Sequence, residues 1–228
     1  MFFVEAKPGD EESARLIEQI VVLCEKRGLQ STHDDVVGSY VHLVVPVYDA
    51  SDLQIAPLLW LETQQKMFHD VKRDEQGRLC LPASEANTTV KVGSVYPKPW
   101  IVVSDAVRHT LLAGGLAGLT FGEVCLRGMS IHASPRPFWE MKSSVVLPKM
   151  VNSVPRKSEF GPSYKVEDKY GEPHYAQEDL DRIGAFDVAR TFEAMQTGEP
   201  WLIVSQRFYH YCLENKISLE LRPARIDR

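Results

Sequence analysis

Seven histidines and 31 acidic residues are the side chains with which this chain of 228 residues could do acid–base or metal chemistry. His33 stands beside Asp34 and Asp35, His69 beside Asp70, and His174 two residues after Glu172. None has a metal-motif spacing such as H-E-x-x-H, which sets two imidazoles on one helix face, so each reads as a solvated loop or helix residue. His109 and His210 differ, because they recur at one position of a repeated segment. They could meet across a pseudo-symmetric interface, and with Asp35 they are the residues from which a hydrolase site would be assembled. A shared structural position is the simpler reading. Cys24, Cys80, Cys125 and Cys212 lie scattered, with no C-x-x-C pair. Such cysteines behave as small buried hydrophobes, so neither a zinc site nor a disulfide framework is expected. No G-x-S-x-G elbow, P-loop or dinucleotide fingerprint is present. "AGGLAG" at 113–118 follows a helix instead of opening one, which is the wrong end for an anion. No catalytic, cofactor or metal set is expected.

A different chemistry is written between residues 153 and 182, a segment rich in Pro, Gly and charge. Its "EDLD" run, with Glu178, Asp179 and Asp181, follows Glu167, Asp168 and Glu172. A long segment of this composition reads as an irregular loop, and such loops carry function more often than their share. Trp139 in "RPFWEM" and Tyr175 within the acidic stretch are candidate aromatic anchors for a partner.

The elements that must position these residues show a repeat. "PWIVVSDAVRHTLL" from Pro99 and "PWLIVSQRFYHYCL" from Pro200 align without a gap, with identities at Pro99/Pro200, Trp100/Trp201, Val103/Val204, Ser104/Ser205, His109/His210 and Leu112/Leu213. Each copy has an apolar run for a buried strand, then a Ser able to accept from the free N–H groups of a helix start. The first helix is expected to end at Gly114 and Gly115 and the second at Asn215. "LAGLTFGEVCL" and "ISLELRPARI" supply a following strand. The chain is therefore expected to be α+β, with mixed sheets, packed helices and two related strand–helix–strand units at about 99–126 and 200–226. It reads as one α+β unit over 1–228, with an N-terminal portion 1–89 and a repeat-containing portion 90–228.

Elsewhere "MFFVEA" and "SYVHLVVPVYD" read as strands. Residues 11–27 form an amphipathic helix, acidic at its start and basic at its end. Residues 57–71 read as a helix opened by proline, "RLCLPAS" and "TTVKVGSVYP" as strands, and "AFDVARTFEAM" as a helix leading into the second copy.

Composition bounds the function. Hydrophobic residues make up 44% and charged residues 25%, as in ordinary globular domains, and the formal net charge is −5. An acidic chain is ill suited to nucleic acid, whose binding needs clustered Lys and Arg. The same balance suits solubility, or a basic protein partner drawn in by long-range attraction, and does not choose between the two. No apolar run approaches the roughly 20 residues of a membrane span, and the first residues lack a signal peptide's basic and apolar regions. The expected location is cytoplasmic.

"WLIVSQRFYHYCLENKISLELRPARI", the preceding "IGAFDVARTFEAMQTGEP" and the middle "PWIVVSDAVRHTLLAGGLAGLTFGEV" together resemble a broad group of bacterial proteins. That group includes polymorphic-toxin immunity proteins and the myxobacterial double-CXXCG-motif proteins. The likeness covers about 90–128 and 183–226. The chain has no C-x-x-C, so the zinc ribbon of the double-CXXCG group does not carry over. The resemblance implies a non-enzymatic protein that binds a cognate basic toxin and neutralises it by occluding its active site. On this reading the partner surface comprises Trp139, Glu167, Asp168, Glu172, Tyr175, Glu178, Asp179 and Asp181. The alternatives are a metal- or His/carboxylate-dependent hydrolase and a scaffold or regulatory binding protein.

Overall fold

The computed structural model describes residues 2–6, 11–12, 15, 19, 22, 42–46, 48–62, 64, 66–86, 89–128, 138–158, 161–168, 171–195 and 197–227. Contacts divide the chain into Met1–Gln54 with Lys169–Gly171, and Ile55–Asp168 with Glu172–Arg228. In the first unit, β1 (Phe2–Ala6) and β2 (His42–Pro46) pair in parallel. Glu11, Glu12, Arg15, Gln19 and Val22 are helical and exposed, and the four polar ones fit the polar face of an amphipathic helix. The rest of the expected 11–27 helix, and His33, Asp34 and Asp35, lie outside the described residues. Asp49 opens α1 (Ala50–Ile55), its carboxylate accepting from the Ser51 and Asp52 N–H groups.

The second unit carries the repeat. Its first half contains β3 (Leu58–Leu61), β4 (Met67–Phe68), β5 (Lys72–Arg73), β6 (Leu79–Pro82) and β7 (Val92–Val95). Then come β8 (Ile101–Ser104), α2 (Asp105–Ala113), β9 (Leu119–Arg127) and β10 (Phe138–Ser143). β11 (Ser153–Ser158), β12 (Gly161–Val166), β13 (His174–Ala176) and α3 (Gln177–Asp181) follow. The second copy ends the chain with β14 (Val188–Arg190), β15 (Leu202–Ser205), α4 (Gln206–Glu214) and β16 (Leu221–Asp227). The chain is α+β with mixed sheets.

The Ser104 and Ser205 hydroxyls accept from Val107 N and Phe208 N, so both copies start their helix with the expected cap. α2 and α4 end at Gly114 and Asn215. β8 and β9 are both antiparallel to β10, which lies between them, while β15 and β16 are both antiparallel to β3. Each copy is thus a strand–helix–strand crossover split by an inserted antiparallel strand.

The likeness extends well beyond the repeated letters. The order β7-β8-β10-β9-β6 in one sheet matches β14-β15-β3-β16-β13 in the other. Every orientation agrees, including the antiparallel β7 and β14 and the parallel β6 and β13. Registers agree too, since Val102 pairs Glu140 where Ile203 pairs Trp60. The central strand of the second sheet is supplied from before the first copy. Each central strand then runs on to the other sheet's edge, β4 pairing in parallel with β7, and Val146 bridging in parallel to Arg190 of β14. This reciprocal exchange gives a pseudo-two-fold arrangement.

Asp187 ties the copies together. It is 4% exposed, accepts from Ala117 N and the Ser205 hydroxyl, both at 2.8 Å, and pairs with Arg207. The Tyr211 hydroxyl donates to Thr110 O at the end of α2, and its ring lies against Gly114, where a Cβ would come within 2.7 Å. At Gly118, with φ +84°, a Cβ would collide with the Val188 carbonyl, so this turn admits only glycine without rearrangement.

Three expectations are corrected. Residues 57–71 are not a helix, because all four residues of β3 are buried, and an apolar run covered on both faces has no period that separates strand from helix. "AFDVARTFEAM" contributes β14 for the same reason, with Val188 and Ala189 both fully buried. Much of the segment expected to be irregular is the β11–β12 hairpin followed by β13 and α3. Its Pro155 and Pro162 are accommodated because a two-stranded ribbon has only edge strands. Among the described residues no helix is long and apolar enough to cross a membrane.

Candidate binding site

β13 is the edge strand of the second sheet, paired on one side to β16. Asn152 holds the chain around it. Its side chain donates to Glu172 O and accepts from His174 N, and its carbonyl accepts from Glu167 N. Glu167, Asp168 and Glu172 are thereby gathered beside β13, and α3 carries Glu178, Asp179 and Asp181 directly after it. Glu167, Glu178 and Asp181 are exposed, as is Asp227 at the end of β16. The nearby cations are already engaged, Arg182 with Asp179 at 2.7 Å, Lys165 with Glu167 at 3.8 Å, and Arg225 with Glu172.

Two expected surface residues are internal. Glu172 is 1% exposed and held by Arg225, so it positions the loop instead of meeting solvent. Tyr175 is fully buried in the second sheet's core beside Trp60, Met150 and Ile203, which removes it as an anchor. Burial, and after it the Glu193 carboxylate, holds its hydroxyl well above a tyrosine's usual range. Trp139 stands on the first sheet and is half-buried. Its indole N–H donates to Asp105 at 2.8 Å and Arg108 lies 3.9 Å from its ring. No contact among the described residues joins it to the acidic edge.

Among the described residues no contact joins His109 to His210. His109 is exposed and lies 3.3 Å from Asp105, whereas His210 is exposed against the Tyr209 ring. His174 lies between Asp168 at 3.7 Å and Asp227 at 3.3 Å. Asp168, Glu172 and His174 bring ligand atoms within 4.8 Å of one another, a carboxylate–imidazole set that divalent metals accept. Arg225 already supplies Glu172 with a countercharge. Asp74, Cys80 and Cys125 also cluster, but Asp74 is bonded to Arg78 and the two sulfurs are bonded to each other. This disulfide corrects the sequence expectation. The cysteines are 45 residues apart yet directly paired on parallel β6 and β9, with Cα atoms 4.5 Å apart.

A separate cavity of about 210 Å³ opens where the first sheet meets the β14–β15 end of the second. Its floor is Glu140, a carboxylate 3% exposed. Arg73 binds it through two nitrogens at 2.7 and 3.1 Å, and Lys142 approaches at 3.1 Å. Burial works against charge on Arg73, but hydrogen bonds to Glu140 and the charges of Glu140 and Glu199 outweigh it and raise its pKa. The guanidinium lies 4.4 Å from the Trp100 ring, a cation–π geometry. Arg190 and Glu199 line the opening.

The two copies differ most at this place. The position of Glu140 is taken in the second sheet by Trp60, stacked on Trp201 at 4.4 Å and 8°. Facing them, Gly122 in one sheet corresponds to Arg222 in the other. A Cβ at Gly122 would lie 3.0 Å from the Lys142 ammonium and 3.3 Å from Glu140, so the glycine makes room for that pair. Sequence reasoning missed Arg73, Glu140, Lys142 and Arg190, which come from β5, β10 and β14. The usable signal was a single acidic residue inside the apolar strand pattern "FWEM".

Compared with known proteins, the chain matches no family model, no curated protein and no solved structure.

Proposed function

We propose that the protein is an immunity-type binder, which recognises a basic toxin through the acidic edge around β13 and α3 and neutralises it by covering its active site. The observation that carries this reading is the gathering of Glu167, Glu178, Asp179, Asp181 and Asp227 at one sheet edge. A local excess of acidic over basic charge attracts an oppositely charged protein over about a Debye length, some 8–10 Å at physiological salt, and acts mainly on the association rate. The net charge of −5 acts in the same direction, and the resemblance of the two repeated segments to immunity proteins supplies the class of partner. On this reading the occlusion is steric and no bond is made or broken.

The test is the triple reversal Glu178→Lys, Asp179→Lys and Asp181→Lys, with association to the product of the adjacent gene followed at several salt concentrations. All three side chains are on a short surface helix, so the fold should survive. A drop of about tenfold in on-rate at low salt, vanishing at high salt, is expected. An on-rate equal to that of the parent at every salt concentration would remove this edge from the account.

A further inference from the structure

We infer that the cavity floored by Glu140 is a receptor for a monocarboxylate with a compact apolar body. This inference does not rest on the acidic edge, which is a different surface.

The internal comparison shows that the space is not required by the fold. The second sheet closes the corresponding position with the Trp60–Trp201 stack, over which Arg222 lies 5.6 Å from the Trp60 ring. The first sheet instead buries a carboxylate, which is costly unless paired, and gives up a side chain at Gly122 to fit its partner. The stability forgone there is explained if the cavity holds something.

Charge selects the ligand's sign. The lining has three cations, Arg73, Lys142 and Arg190, against two carboxylates, Glu140 and Glu199. Arg73 and Lys142 share Glu140. Arg190 uses its backbone N–H and carbonyl to join Val145 and Leu147, and its exposed guanidinium has no partner among the described residues. One surplus positive charge suits a single carboxylate, which a guanidinium holds with two parallel hydrogen bonds. A dianion would meet repulsion from Glu199. Pro99, Trp100, Pro200 and Leu202 supply apolar walls for the ligand's body. The cavity, about 210 Å³ and open to solvent on one side, admits a small acid or the end of a peptide. The same chemistry is offered by a free acid or by the terminal carboxylate of a peptide.

Calorimetry on the full chain separates these sources. The probes are isobutyrate, its amide, and a pentapeptide ending in leucine with a free or an amidated terminus. Saturable binding of a carboxylate form, with its amide at least about tenfold weaker, is the expected result. The tighter of the two carboxylates names the source. Arg190→Ala, at an exposed position, should weaken binding about tenfold without changing the melting temperature. Glu140→Gln should act in the opposite direction by freeing Arg73 and Lys142 from their counterion. Amides binding as well as acids, no binding of either carboxylate, or both variants shifting affinity the same way would overturn the assignment.

Discussion

Replacing Asp187 by alanine should destabilise the protein more than any exposed charge change, because this carboxylate joins the two copies of the repeat. It is 4% exposed and accepts from Ala117 N and the Ser205 hydroxyl, each at 2.8 Å. Its ion pair with Arg207 adds little, since that side chain is 60% exposed and screened pairs are worth at most about 1 kcal/mol. The cost comes from the two donors left facing a methyl group. An orphaned buried donor costs roughly 1–3 kcal/mol, but both bonds are only part-buried, so water can take over part of each, and about 2 kcal/mol in total is expected. In a domain of this size each kcal/mol lowers the melting temperature by roughly 2–4 °C, so calorimetry should show a fall of about 4–8 °C. Arg207→Ala, the control, should stay within about 1 kcal/mol. A fall for Asp187→Ala no larger than that control would refute the claim that the carboxylate ties the copies.

Trp60→Ala should cost about 3–5 kcal/mol, the range for deleting a large buried aromatic, since it empties the stack with Trp201; chemical denaturation would measure it. Titration of the denatured, unreduced protein with a thiol reagent should count two thiols of the four cysteines, because Cys80 and Cys125 are bonded. Four thiols would contradict that pairing. Burial pushes the Cys212 thiol up to about 12 from its usual 9. A raised folded-state value favours the protonated folded form, so its contribution is intact below pH 9 and is lost as the pH rises from there toward 12. Replacing Cys212 by Ala should flatten the loss of stability across that window, and an unchanged slope would show that the thiol titrates normally.

Much of the architecture was legible because local chemistry determined it. The Ser104 and Ser205 caps, the stops at Gly114 and Asn215, and the apolar strands before them were written twice, and both copies folded as written. β3 and β14 were not legible, since strands buried on both faces lose the alternation that marks a strand. The equivalence of β3 and β10 was hidden further, because one precedes the repeat and the other follows its first copy, with Trp60 and Glu140 sharing no chemistry. The disulfide escaped for a related reason. Forty-five residues separate Cys80 from Cys125, and only the pairing of β6 with β9 aligns them.

The acidic residues were adjacent in sequence, so their grouping could be anticipated, but sequence could not show that Glu172 and Tyr175 turn inward. Their burial follows from β13 joining the second sheet, where Tyr175 meets the core and Glu172 meets Arg225. The Glu140 cavity draws on three separate strands. No spacing rule connects Arg73, Glu140 and Arg190, and the cavity becomes recognisable only when one sheet is laid over the other.

The most direct test of the proposed function is co-expression with the product of the adjacent gene, scoring host growth and isolating the complex. The account predicts a toxic neighbour, rescue by this protein, and a stable one-to-one complex whose formation slows when Glu178, Asp179 and Asp181 are reversed. A toxic neighbour that this protein neither binds nor neutralises, or a harmless one that forms no complex, would contradict it.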